Sequence, residues 1–240
     1  MKYCIKSFCI ILLLLFTTTV YAETNISVND LSEPYKTLNY YKIFEGDESG
    51  LLHFDENITR AEFCKVVCRA LNVNIAEQPE SNMLSFRDVQ TDNWFYPYVQ
   101  KAYSLNLVHG DDRGYFNPDA VILNKDVVKI VVAALGYAEL VGNEGYPEGY
   151  IKVATEIGLI QDPSNFDINK PAIRDNVATI INAALDIPLM KDSLVMNGNE
   201  GNPYKTLRYN LEIEYSNKYF TNSKKWKKYN RLNGSGFIFL

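Results

Sequence analysis

Histidine and cysteine are scarce in this chain, with two of the first and four of the second in 240 residues. Cys4 and Cys9 fall in the first 22 residues, which leaves Cys64 and Cys68, four apart on what reads as one helix. A zinc-type site wants about four nitrogen or sulfur ligands. His53 and His109 show no matching spacing, so no metal site is expected and the two thiols read as small buried hydrophobes. Asp111 and Asp112 lack the regular acidic spacing and distal glutamate of a calcium loop. A nucleophile elbow and a histidine pair are also missing, and the acidic residues are scattered. No catalytic residue and no cofactor are therefore expected. Outside the first 22 residues, no apolar run approaches the roughly 20 residues of a spanning helix, so no membrane span is expected once that leader is removed.

The chain also lacks the clustered basic charge that nucleic-acid binding needs. Residues 23–190 hold 13 basic and 25 acidic side chains, a net charge of −12, whereas 191–240 hold 9 and 4, a net charge of +5. An acidic body that binds an anion must do so locally. The first 22 residues read as a secretory signal: Lys2 and Lys6, an apolar run from Phe8 to Phe16, then a small-residue cleavage site at Val20-Tyr21-Ala22. With 47% hydrophobic and 22% charged residues, the remainder has ordinary globular composition.

What is present is a repeated stripe. In Ile58–Leu71, Thr59 and Glu62 form a capping-box pattern that predicts a helix start. Phe63, Val66, Val67, Ala70 and Leu71 then follow at offsets of 0, 3, 4, 7 and 8, one face of a helix. The same five offsets recur in Val127–Leu135, closed by Gly136, and in Val177–Leu185. Phe95–Tyr103 and Tyr150–Gly158 carry the stripe in the helices that precede these last two copies. Leu71, Leu135 and Leu185 stand 64 and 50 residues apart, so the unit is a helix-loop-helix with a linker of variable length. Tyr35, Leu38 and Ile43 hint at a short first helix, and the pentapeptide PYKTL occurs at both 34–38 and 203–207. The tail beyond Met190 has little pattern and is expected to be poorly ordered.

Arg60 sits in the first turn of the first striped helix, where free N–H groups and the helix dipole favour an anion and a guanidinium can add bidentate carboxylate pairing. The competing reading is a surface pair with Glu62 or a neighbouring carboxylate, worth little. Gly46, Gly50, Gly110 and Gly114 read as turn glycines at positive φ, and both histidines read as solvated loop residues.

The hexapeptide ITRAEF, preceded by G-x-x-x-G, together with F-x-D-(x)5-W ahead of a second G-x-x-x-G-x-F-x-P, resembles the motifs of S-layer homology domains over about residues 30–190. The resemblance implies an all-α fold of three helix-loop-helix repeats in a pseudo-threefold bundle: 23–72 (with a degenerate first helix), 84–137 and 146–190, followed by a basic tail at 191–240. It implies non-covalent attachment to the cell envelope through grooves between repeats that bind an acidic, pyruvylated secondary cell-wall polysaccharide, and hence a secreted protein of the cell wall or surface layer. The motif arginine reads Arg60, Asn124 and Arg174 in the three copies, and the acidic position Glu62, Asp126 and Asn176. The cap threonine becomes Leu123 and Ile173, so only the first copy keeps its start signal. The ligand-binding set implied is Thr59, Arg60, Glu62, Asp88, Trp94, Gly110, Asn124 and Arg174. Trp94, beside Phe95 and Tyr96, is expected mainly to pack, with its indole edge reaching the groove. Two rival classes remain at this stage. A small all-α wall-polysaccharide hydrolase requires two opposed carboxylates, and a protein-binding envelope module of dockerin type requires paired calcium loops. Oligomeric state is not legible.

Overall fold

A computed structural model describes residues 32–47, 50–76, 86–190 and 206–212. The chain runs through α1 (Glu33–Tyr40), α2 (Arg60–Ala70), α3 (Tyr96–Ser104), α4 (Asn124–Ala134), a 3-10 segment (Ala138–Glu144), α5 (Glu148–Glu156), α6 (Arg174–Ala184) and a last short helix, α7, at 207–212. Among the described residues the only β pairing is three isolated bridges, so the chain is all-α. No helix there is long and apolar enough to cross a membrane. The signal-like stretch at 1–22 and most of the basic tail lie outside the described residues.

Those three bridges hold the centre together. The residue pairs are Asn57 with Ile173, Thr59 with Val121, and Leu123 with Pro171. They join the extended segments that lead into α2, α4 and α6, and the hydrogen bonds between the segments close a ring. The Ile58 N–H donates to the Ala172 carbonyl at 3.0 Å, Ala172 N–H to Ile122 at 2.8 Å, and Ile122 N–H to Ile58 at 3.1 Å. All three residues are buried, with exposures of 0%, 0% and 2% for Ile58, Ala172 and Ile122.

The same segments cap the helices of their neighbours. Arg60 and Ala61 N–H donate to the carbonyls of Ala120 and Pro118, Asn124 and Lys125 to Lys170 and Ile168, and Arg174 and Asp175 to Glu56 and Phe54. Each striped helix thus has its first two orphan donors filled by backbone from the segment ahead of the next one, in cyclic order. Leu123 and Ile173 can therefore serve as N-caps with no side-chain oxygen. They share the extended conformation of Thr59, with φ of −89° and −86° against −81°. At α2 a full capping box is added: Glu62 N–H donates to Thr59 Oγ1 at 3.2 Å and Thr59 N–H to Glu62 Oε2 at 2.8 Å.

The stripes pack inward as the periodicity requires. Phe63, Val67 and Leu71, their counterparts Val127, Val131 and Leu135, and Val177, Ile181 and Leu185 are all buried in one hydrophobic cluster. Each shorter helix lies against a striped helix: α3 on α2, α5 on α4, and α1 on α6, while α4 also touches α6. Tyr35 and Leu38 anchor α1, as the sequence hints. Cys64 and Cys68 are buried free thiols, and burial pushes both up, Cys68 to about 12, which leaves them inert.

The tail differs from its sequence reading at 206–212. There Leu207 and Leu211 are buried, Arg208 N–H donates to the Leu185 carbonyl, and the Arg208 guanidinium forks onto Asp186. Tyr41 reaches Glu212 at 3.4 Å. The leucines of both PYKTL copies, Leu38 and Leu207, are core residues.

Candidate functional site

The two motif arginines are held in the same way. Arg60 Nε donates to the Phe116 carbonyl and Nη2 to that of His109, both at 3.0 Å, and its guanidinium lies 4.7 Å from the Phe116 ring centroid. Arg174 Nε donates to the Leu52 carbonyl at 2.8 Å and Nη2 to that of Glu45 at 3.1 Å, and its guanidinium lies 4.7 Å from Phe44. Each guanidinium therefore uses one edge to clamp a glycine-containing loop, 45–52 or 109–116. The third nitrogen of Arg174, Nη1, faces Glu62 Oε1 at 3.5 Å.

The loops themselves are equivalent turns. In one, Asp47 Oδ1 accepts from Leu51 N–H at 3.0 Å, and in the other Asp111 Oδ1 accepts from Tyr115 N–H at 2.9 Å. The Tyr115 and Arg113 amides hold the Asp111 carboxyl below the usual range. Gly50 and Gly114 take the positive φ that the sequence predicts, 84° and 80°. Gly46 and Gly110 are glycine for a different reason, lack of room. A Cβ at Gly110 would lie 2.5 Å from Phe86 Cε1 and 2.9 Å from the Tyr115 carbonyl oxygen. Gly110→Ala is accordingly expected to destabilise the fold by about 1–3 kcal/mol in urea unfolding, the cost of overpacking.

Asp88 serves the second loop. Its two oxygens accept from Phe116 N–H at 2.8 Å and Asn117 N–H at 2.7 Å, while Arg60 takes the Phe116 carbonyl. Asp88, Gly110 and Arg60 are thus brought together around Phe116. Asn124, the counterpart of these arginines in α4, is 3% exposed, and its amide donates to the Asp167 carbonyl at 2.8 Å.

A cavity of about 290 Å³ opens on the other side of α2. Its lining includes Glu62, Lys65 and Arg69 from α2, Arg174 from α6, Trp94 ahead of α3, and Glu45, Asp47, His53 and Glu56 from the first loop. Trp94, Glu62 and Arg174, distant in sequence, meet here. Trp94 departs from its expected packing role: it is 56% exposed, with an edge contact to Phe95, and Lys65 Nζ lies 5.9 Å from its ring centroid. Burial pushes the Lys65 ammonium below its ordinary value, with Arg69 repelling it as well. Glu45 bonds to Arg69. Burial raises the Glu45 carboxyl, yet the Arg69 hydrogen bond and charge outweigh that and hold it below the usual range.

The free N–H groups predicted beside Arg60 are filled, those of Arg60 and Ala61 by Ala120 and Pro118 and that of Glu62 by Thr59. An anion here must be held by side chains. Lys65 and Arg69, which no sequence motif marks, line the cavity, and so does His53, expected as a solvated loop residue. The signal that could have found Lys65 is its spacing: Lys129 stands 64 residues on, as Leu135 does from Leu71. Lys129 Nζ lies 5.2 Å from the Tyr146 ring, which is 43% exposed and bonded through its hydroxyl to Asp126 at 2.8 Å. Tyr146 therefore answers to Trp94, and Asp126 to Glu62.

Residues 85–123 match the family model described as the S-layer homology domain. Three named relatives were found. A "Cell surface protein" of Thermoanaerobacter kivui is 30% identical over 138 residues, 57% of this chain and 18% of the relative. A "Middle cell wall protein" of Brevibacillus brevis is 26% identical over 162 residues, 68% of this chain and 15% of the relative. A "Surface layer protein" of Brevibacillus choshinensis is 26% identical over 164 residues, 67% of this chain and 14% of the relative. The chain thus spans less than a fifth of the length of any of these three.

Proposed function

We propose that this chain is an S-layer homology domain protein and that it attaches non-covalently to the bacterial cell envelope by holding an acidic secondary cell-wall polysaccharide, pyruvylated on a sugar, in the cavity between α2, Trp94 and Arg174. Its place is the cell wall or surface layer. The observation that carries the binding reading is the exposed indole of Trp94 at the rim of a cavity that also contains Lys65, Arg69 and Arg174. An indole face suits the apolar face of a sugar ring. Among the described residues Arg174 Nη1 has a 3.5 Å contact to Glu62, and it is the donor a ligand carboxylate can take over.

The three-repeat division at 23–72, 84–137 and 146–190 is part of this reading, supported by the identical backbone capping of α2, α4 and α6. The repeats have diverged. The groove at Tyr146 keeps Lys129 and Asp126, whereas α6 offers Asn176 and Thr179 at the matching places and Asn124 replaces the arginine. We therefore assign the principal site to the Trp94 cavity, with Arg60 and its loop serving the second groove.

No reaction is proposed. The carboxylates lining the cavity are engaged: Glu45 with Arg69, Asp47 and Glu56 with His53, and Glu62 with Thr59 N–H and Arg174. A hydrolase would need an opposed acid and base. Co-sedimentation of the full chain with purified walls, before and after removal of the non-peptidoglycan polymer, tests the proposal. Retention should depend on the polymer, and equal retention on both would sink the glycan reading.

A further inference from the structure

Position 53 in the first loop corresponds to Asn117 in the second, and both residues take left-handed backbone, with φ of 51° and 59°. Asparagine is at ease there. Histidine brings a ring that Asn117 lacks, and the ring lies between two carboxylates: Nε2 is 2.8 Å from Asp47 Oδ2 and Nδ1 is 3.1 Å from Glu56 Oε1. A neutral imidazole has one N–H and one acceptor nitrogen, so it can donate to only one of them. Only the imidazolium donates to both.

We infer that His53 is an ionisable positioning residue of the cavity, and that its protonation both fastens the loop that holds Arg174 and raises affinity for an acidic ligand. This rests on the reading of the cavity as the glycan site. The fastening follows from what the loop does, since Glu45 and Leu52 present their carbonyls to the Arg174 guanidinium, and Glu56 and Phe54 cap α6. Tying Asp47 to Glu56 through one ring braces this stretch from both ends.

The affinity follows from charge. Facing His53 are Asp47 and Glu56 on its own loop and Arg174 on α6, with Glu45, Glu62, Lys65 and Arg69 elsewhere in the lining. Among the described lining residues three cations stand against four carboxylates, so protonation of His53 removes one unit of net negative charge from that set. The hydrogen bond to Asp47, with the charges of Glu56 and Asp47, lifts the imidazole above its ordinary 6.5 despite Arg174 and desolvation. A raised pKa means that the contribution is fully present below the ordinary value and is lost as pH rises through the folded one.

The test is wall co-sedimentation of the full chain from about pH 5.5 to about pH 8.5 at fixed ionic strength, spanning the range in which histidine titrates, beside an NMR titration of the His53 ring without walls. Wild-type affinity should fall about three- to tenfold across the range, as one nearby charge is lost. His53→Asn, which suits the backbone, should flatten the profile. Glu56→Gln should shift the profile to lower pH and serves as the second variant if His53→Asn melts early. Polymer-dependent retention with a flat wild-type profile, or a ring pKa at or below its ordinary value, overturns the inference alone. Retention that ignores the polymer at every pH overturns the glycan reading beneath it.

Discussion

Arg174→Ala should cost about ten- to hundredfold in affinity for polymer-bearing walls, the range expected when a hydrogen bond to a charged group is lost. The guanidinium is positioned before any ligand arrives. Two of its nitrogens are committed to the Leu52 and Glu45 carbonyls and its face to Phe44, so the remaining nitrogen is aimed into the cavity with little freedom left to lose. Arg174→Lys retains the charge without the fork and should recover only a fraction of the binding. Loop 45–52 loses its clamp in both variants, so a thermal melt must accompany the binding assay. A loss of binding without a matching loss of folded protein is the expected pattern. Asn124→Ala, a change at the counterpart in α4 that is buried against the Asp167 carbonyl, should leave wall affinity within about twofold, well below the cost of a charged hydrogen bond. Equal losses from both arginine and asparagine variants would show that the cavity has been wrongly chosen.

Ile58→Ala should be the most damaging of the conservative core changes, at about 2–5 kcal/mol. Ile58 is fully buried where the three lead-in segments meet, and its own N–H and carbonyl are two of the links in the ring. Thr59→Ala, next to it, should cost only about 0.5–2 kcal/mol, the value of a side-chain cap, because the first two donors of α2 are satisfied by Ala120 and Pro118 in either case. Urea unfolding of the Ile58 variant should remain one transition at a lower midpoint. Linear repeat arrays can lose units from an end. In this closed ring every striped helix is capped by the next, so separate transitions would contradict the cyclic account.

That capping also explains what was legible in the sequence and what was not. The five-position stripes mark α2, α4 and α6, and the α2 start follows from Thr59 and Glu62, because periodicity and local capping are written in neighbouring residues. Leu123 and Ile173 look like failed caps because their substitute, a carbonyl from a distant lead-in segment, has no local signature. The same holds for the cavity. Arg60 stands out in sequence because it shares a motif with Thr59 and Glu62, but the fold sends Glu62 to the Trp94 cavity with Arg174 and sends Arg60 to the Phe116 loop. Trp94 reads as a packing residue because its aromatic neighbours are adjacent in sequence, whereas the fold leaves it 56% exposed at the cavity it shares with Lys65. The short helix at 207–212 was hidden because its two buried leucines gain meaning only from their contact with the bundle.

The most direct test of the central claim is a chemical-shift titration of the isotope-labelled full chain with the isolated acidic wall polymer. The account predicts that the Trp94 indole N–H, the Arg174 guanidinium and the amides around Glu62 and Lys65 respond together, while those of 207–212 stay in place. Shifts confined to other surfaces, with the Trp94 indole unmoved at saturation, would contradict it.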